Sequence, residues 1–240
     1  MKNKLVILSI IFSLVVLVFS SCEENLNCIE GNNKVITEER TTDPFKAVVS
    51  EGSFNIEVIQ STETRIIVQG ESNLLNYIRT TVQGSVLTVD TRNNACFNSN
   101  YPINLTIYTP ELESATLTGS GNIDCNQLLT DELFLNISGS GNIDFRAETT
   151  SINASIVGSG NINLRGVAIN ADFSITGSGS IFAYDLPVDV CSSRISGSGN
   201  MYLMVFDLLD IIISGSGSIF YKGNPQINST ISGSGTIVHV

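Results

Sequence analysis

Apolar and polar positions alternate by twos along Leu133–Phe145. Leu133, Leu135, Ile137, Gly139, Gly141, Ile143 and Phe145 share one face, and Phe134, Asn136, Ser138, Ser140, Asn142 and Asp144 share the other. This is the period of a half-buried β-strand, not the 3.6-residue period of a helix. The same alternation runs through Ala154–Leu164, Phe173–Ala183 and Ile211–Tyr221. In every stretch it passes through a Gly-Ser-Gly triplet without losing phase, so both glycines are expected to face the same way as the aliphatic residues.

The triplet recurs seven times, starting at Gly119, Gly139, Gly158, Gly177, Gly197, Gly215 and Gly233, in steps of 18 to 20 residues. A period that steady marks a repeat architecture with one supersecondary unit per copy. Eighteen to 20 residues cannot carry a crossover helix, but they can carry two or three short strands with bends. Stacked units pair each strand with its equivalent one coil away, in parallel, and merge the aliphatic faces into one interior. The predicted fold is all-β: a right-handed parallel β-helix, the hand favoured by strand twist. Glycine at the triplet positions either admits the opposite wall closely or lets the chain bend at a corner.

Outward positions stack as well. Ser120, Ser140, Ser159, Ser178, Ser198, Ser216 and Ser234 form one predicted column, and Asn122, Asn142, Asn161, Ser180, Asn200, Ser218 and Thr236 the next. Polar ladders at a coil spacing of about 4.8 Å can hydrogen-bond up and down the stack, a structural and solubilising role.

The chain opens with a different pattern. Lys2 and Lys4 precede a 15-residue apolar run, Leu5 to Phe19, and then Ser20-Ser21-Cys22. The run is short for a membrane span, which needs about 20 residues, and reads as a signal peptide over 1–21. Ser20-Ser21-Cys22 resembles a lipobox, which makes Cys22 the expected lipidation site and 22–34 a lipid-anchored tether. The expected address is the outer membrane, facing the periplasm or the surface.

Residues 35–112 are β-rich but irregular. Phe45–Gln60 holds a degenerate copy in which Val48, Ser50, Gly52, Phe54, Ile56 and Val58 share a face. Ser72–Leu75 reads as a helical turn, and Thr80–Thr91 as a hairpin around Gln83-Gly84-Ser85. These residues are expected to form the first coils and N-terminal cap of the solenoid, with a separate small β domain as the alternative. The regular helix is expected over 113–240. Among the cysteines after Cys22, Cys125 and Cys191 fall in the inward frame as small buried residues, which leaves Cys28 with Cys96 as the candidate disulfide in an oxidising envelope.

The GSGNI copies, the degenerate EGSFNIEV segment and the lipoprotein-like start together resemble the head GIN domain family, auto-transporter adhesin-like β-helix lipoproteins of Bacteroidetes. The resemblance covers roughly Phe45 to His239. It implies a right-handed β-helix at the cell envelope and no established activity.

Candidate chemistry is sparse. The only histidine, His239, lies one residue from the end, so no Ser/His/Asp triad has a base. There is no phosphate-binding GxxxxGK[ST] motif and no cofactor is expected. Without Lys2 and Lys4 the formal charge goes from −11 to −13, which disfavours nucleic acid. Asp124 and Asp144 share an outward position in adjacent coils. They are a weak candidate for Ca²⁺, but Arg146 and Arg165 lie close enough to neutralise them.

The same outward column continues through Asn163 to Phe182, Tyr202, Phe220 and Val238, and the position two residues on adds Tyr184 and Met204. An apolar strip of that size marks a contact surface, unless a loop or the N-terminal segment covers it. The expected function is a non-enzymatic binding or adhesion module for an envelope protein, glycan or lipid. The alternative is a carbohydrate-active β-helix enzyme. Self-association through the last coil, Thr236–Val240, is a further expectation.

Overall fold

Why does a chain with this alternation close on itself instead of forming an open sheet? In the computed structural model, which describes residues 28–240, the answer lies at the glycines. Each repeat is one strand ending in the first glycine, a tight corner, and a second strand starting after the second glycine. One ladder of parallel strands runs up each side.

The strands before the corner are β3 (Ala47–Gly52), β10 (Ser114–Gly119), β12 (Glu132–Gly139), the second halves of β13 (Asn142–Gly158), β14 (Asn161–Gly177), β15 (Ser180–Gly197) and β16 (Asn200–Gly215), and β18 (Gln226–Gly233). They pair in parallel with the glycines in register. The strands after the corner are β4 (Asn55–Gln60), β11 (Asn122–Leu129), the first halves of β13 to β16, β17 (Ser218–Lys222) and β19 (Thr236–His239). They pair likewise. The fold is a β-solenoid.

The two glycines of each triplet do different work. The first has φ between +117° and +138° in all seven copies, a region L side chains rarely adopt, and is half-buried in all but the last. It makes the corner. A Cβ at Gly177 would land on the carbonyl oxygen of Gly158 one coil below. Of the two roles left open by the sequence, this glycine takes the corner, and its neighbour is backbone from the adjacent coil, not the opposite wall.

The second glycine, buried in every copy but the last, lies close over the carbonyl of the equivalent residue in the coil below and, from Gly141 upward, also makes room for an aliphatic side chain of that coil. A Cβ at Gly160 would strike Ile137, at Gly179 Ile156, and at Gly199 Ile175. The degenerate copy departs at both kinds of position: Phe54 stands where the others have the second glycine, and Ser50 stands in the column that continues as Leu117 and Ile137.

Like residues stack inside. Ile123, Ile143, Ile162, Ile181, Met201 and Ile219 form one buried column. Leu117, Ile137, Ile156, Ile175, Ile195 and Ile213 form another. Each fully buried side chain of this size contributes roughly 1.5–3 kcal/mol. Ser193, the polar intruder, donates its hydroxyl to the Asp210 carbonyl at 3.1 Å.

Outside, the asparagine column forms a continuous amide ladder. Asn161 donates to Asn142, Asn142 to Asn122, Asn122 to Asn55 and Asn55 to Asn104, at 2.9–3.2 Å. The serine column works differently: from the Gly139 corner upward, the serine N–H, not the hydroxyl, bonds the coil below.

At the N-terminal end both ladders turn antiparallel. β6 (Ile78–Gln83) and β7 (Val86–Thr91) form the expected hairpin, and β7 pairs in parallel with β3. β9 (Asn104–Thr109) pairs in parallel with β4, then antiparallel with β5 (Arg65–Glu71), which pairs antiparallel with β2 (Val35–Arg40). One helical turn, α1 (Ser72–Leu75), buries Leu74 and Leu75.

Two short strands, β1 (Ile29–Glu30) and β8 (Phe97–Asn98), pair beside the Cys28–Cys96 disulfide. Cys125 and Cys191 are free and buried, and burial pushes the Cys125 thiol up to about 11. Cys22 and the 1–21 leader lie outside the described residues, as does the first part of the 22–34 tether, residues 22–27.

Candidate functional site

The ladder after each corner carries one outward column from end to end. Its members in register are Glu57, Asp124, Asp144, Asn163, Phe182, Tyr202, Phe220 and Val238. Parallel in-register pairing is what lines them up, because equivalent positions in successive coils sit one strand spacing apart. The column changes character halfway, from carboxylates to aromatic rings.

In the aromatic half the rings stack on one another. Phe182 and Tyr202 have centroids 5.0 Å apart and planes 7° apart, and Tyr202 and Phe220 are at 5.1 Å and 9°. The stack hides ring faces and leaves ring edges toward solvent. Phe182 is 40% exposed and Val238 38%, with Tyr202 and Phe220 half-buried between them. The N-terminal strand does not cover the strip, since β1 pairs with β8 at the cap.

Tyr184 and Met204 do not share a register position, contrary to the spacing argument. β15 bulges after Asn163's partner, so Arg165 pairs with Asp185 and Met204 with Pro187. The inserted residues shift every later position on that strand. Tyr184 nevertheless joins the strip, packing edge-on against Tyr202 at 5.6 Å and 76°. Lys222, which sequence reasoning missed, places its ammonium 4.3 Å from the Tyr184 ring centroid. The available signal was its register with Met204.

In the acidic half, Asp144 is ion-paired with Arg165, while Arg146 forms no salt bridge with either aspartate. Asp124 and Asp144 are neighbours in register, and Arg165 donates to Asp144 at 2.5 Å. Burial raises the Asp124 carboxyl above its ordinary range, with Asp144 and Glu57 adding to the shift and Arg165 opposing it. Among the described residues, no group of three or more His, Cys, Asp or Glu side chains could hold a metal ion. His239 is occupied structurally: its ring stacks on Tyr221 at 4.8 Å, and Nε2 lies 2.9 Å from the Gly223 carbonyl.

A family model described as "Putative auto-transporter adhesin, head GIN domain" matches residues 44–225. The chain belongs to the head GIN domain family. Three solved structures resemble this head GIN chain along most of its length, each covering 88% of it.

An adhesin-described protein from Bacteroides fragilis is 27% identical, matched over 100% of its own chain with a TM-score of 0.85. One from Parabacteroides merdae is 29% identical, matched over 98% of its chain with a TM-score of 0.70. A protein from Parabacteroides distasonis, described as lipid-binding, is 26% identical, matched over 99% of its chain with a TM-score of 0.76. No curated protein matches. Two of these three structures are described as adhesins and one as lipid-binding.

Proposed function

We propose that this head GIN chain is a non-enzymatic, lipid-anchored outer-membrane module whose aromatic column receives an apolar chain. The observation that carries the reading is the Phe182–Tyr202–Phe220 stack. Sugars bind aromatic side chains through open ring faces, and here those faces are turned onto each other. What remains is a strip of ring edges flanked by Tyr184, Met204 and Val238, which suits an acyl chain or another apolar surface. The lipid-binding description of the Parabacteroides distasonis relative agrees with this choice. Against an enzyme stands the acidic half, where the Asp144 carboxylate is occupied by Arg165.

The anchor rests on Lys2, Lys4, the Leu5–Phe19 run and Ser20-Ser21-Cys22. Cys22→Ala should leave unprocessed or soluble protein. Unchanged membrane fractionation and palmitate labelling of that variant would remove the lipidation.

For the strip, the triple change Phe182→Ser, Tyr202→Ser, Phe220→Ser should keep the β-rich circular dichroism spectrum and lose binding to a fluorescent fatty-acid probe. Retained probe binding would end the acyl-chain reading. Loss of probe-independent capture of a protein partner would instead make the strip a protein interface. Unfolding of the variant would make it core.

A further inference from the structure

The foot of the glycine column offers a second site. At the Gly139, Gly158, Gly177, Gly197 and Gly215 corners, the two N–H groups after the first glycine converge on one carbonyl oxygen of the coil below. Ser140 and Gly141 both donate to the Gly119 carbonyl, at 3.0 and 3.1 Å, and Ser178 and Gly179 to that of Gly158, at 2.9 and 3.2 Å. Each corner is thus a two-pronged grip on a single carbonyl oxygen.

The lowest corner, Gly52-Ser53-Phe54, has the same shape, with Gly52 at φ +146°. The next N–H along still has its partner below, since Asn55 donates to the Ile103 carbonyl at 3.0 Å. The coil beneath has no triplet, however. It detours through residues 92–102, where β8 and the disulfide lie. Among the described residues, the Ser53 and Phe54 N–H groups have no acceptor. The corner at Gly119 also closes without the paired bonds, but it sits directly on the backbone of Phe54 and leaves no space. Only the Gly52 corner opens on a cavity, a cleft of about 510 Å³ walled by Ala95, Phe97, Tyr101, Pro102 and Ile103.

We propose that this cleft binds the acetamido group of an N-acetylated sugar. The carbonyl takes the place of the missing glycine carbonyl and accepts from the Ser53 and Phe54 N–H groups. The methyl enters the apolar wall, and the pyranose ring lies on Tyr101, which is 46% exposed.

The donors call for an oxygen acceptor, and the surroundings call for a neutral one. Ser99 and Asn100, on the cleft wall, already donate to the buried Glu71 carboxylate, whose negative charge repels an anion. A peptide adding as a strand needs alternating donors and acceptors along an edge. The corner supplies two adjacent unpaired N–H donors, at the positions that meet one oxygen in the coils from Gly139 to Gly215. The site is separate from the aromatic column and does not depend on it.

The test is a ¹⁵N-labelled amide titration of the full mature chain with N-acetylglucosamine, glucose and an N-acetylated alanine amide. N-acetylglucosamine should move the Ser53 and Phe54 amide protons downfield, while glucose leaves them in place. Ala95→Phe, which fills the cleft, should abolish the shift with the rest of the spectrum unchanged. Tyr101→Ala should weaken binding at least tenfold. No movement of the Ser53 and Phe54 amides in the parent protein overturns the site. Equal movement with glucose, or movement with the acetylated amide alone, overturns the acetamido-sugar assignment.

Discussion

The regular coils and the N-terminal cap belong to one sheet but are held by opposite means. From Gly119 upward the structure repeats because backbone packs on backbone: corner on corner, glycine over carbonyl, asparagine amide over asparagine amide. The cap has no such period. It is fastened by particular side chains.

Glu71 is the centre of that fastening. Its side chain is fully buried, and it accepts from the Asn33 N–H at 2.6 Å, the Ser99 hydroxyl at 2.7 Å and the Asn100 N–H at 3.1 Å. It thereby joins the segment after β1 to the loop after β8. The Cys28–Cys96 disulfide clamps the opposite ends of β1 and β8 covalently. A repeat can rely on geometry because every coil supplies the next with identical neighbours. A terminal coil lacks one neighbour and must satisfy its exposed groups individually.

The sharpest way to break this contrast is at a corner. Gly177→Val places a branched side chain against the Gly158 carbonyl at φ +126°. Backbone strain and overpacking together should cost on the order of 4 kcal/mol. A thermal melt within a degree or two of the parent would show that corners are not held by backbone contact.

Next comes the disulfide, which closes a 68-residue separation. Cys28→Ser with Cys96→Ser should cost about 3 kcal/mol in chemical denaturation. The loss should appear first in the cap, so amide exchange should speed up around 28–34 and 92–102 before the coils respond. Uniform acceleration along the whole chain would mean that the cap and coils unfold as one unit.

The Glu71 carboxylate gives a smaller, pH-dependent effect. The Ser99 hydroxyl holds its pKa below the ordinary glutamate value, with the Asn33, Asn100 and Tyr101 backbone assisting and burial opposing. A depressed folded-state pKa means the carboxylate stabilises the cap fully above the ordinary value of 4.5, and that contribution fades as the pH falls through the lowered one. Acid titration should therefore loosen the cap below pH 4.5, and Glu71→Gln should loosen it at neutral pH and flatten this acid response. A cap whose exchange rates ignore both changes would put its fastening elsewhere.

The smallest effect is expected one residue from the largest. Ser178→Val, at an exposed corner position whose N–H and not hydroxyl makes the bond, should change stability by no more than about 0.5 kcal/mol. A loss comparable to that of Gly177→Val would contradict the separate roles of the triplet's members.

The repeat was legible because its causes are local and periodic. Alternation by twos names the faces, and a shared phase across seven triplets names the register, so the column from Glu57 to Val238 could be read by counting. Counting failed where the count itself changes. The bulge in β15 moves Tyr184 out of register with Met204, and nothing in the spacing of the neighbouring triplets marks which residue is extra. Glu71 was not legible because its partners come from elsewhere in the fold, 28 and 38 residues away, whereas Lys222 lies two residues past Phe220, in register with Met204, and could be reached by counting.

What the chain determines by itself is therefore whatever each repeat imposes on the next: the solenoid, its inward columns and the polar ladders outside. Only the tertiary structure decided which glycine bends and which makes room. Both keep the same phase in sequence, and they differ only in φ and in the neighbour a Cβ would meet. It also decided that the aromatic residues turn their faces onto one another. And it showed that the Gly52 corner opens on empty space, a fact of what the coil beneath fails to supply, which no spacing within the repeat encodes.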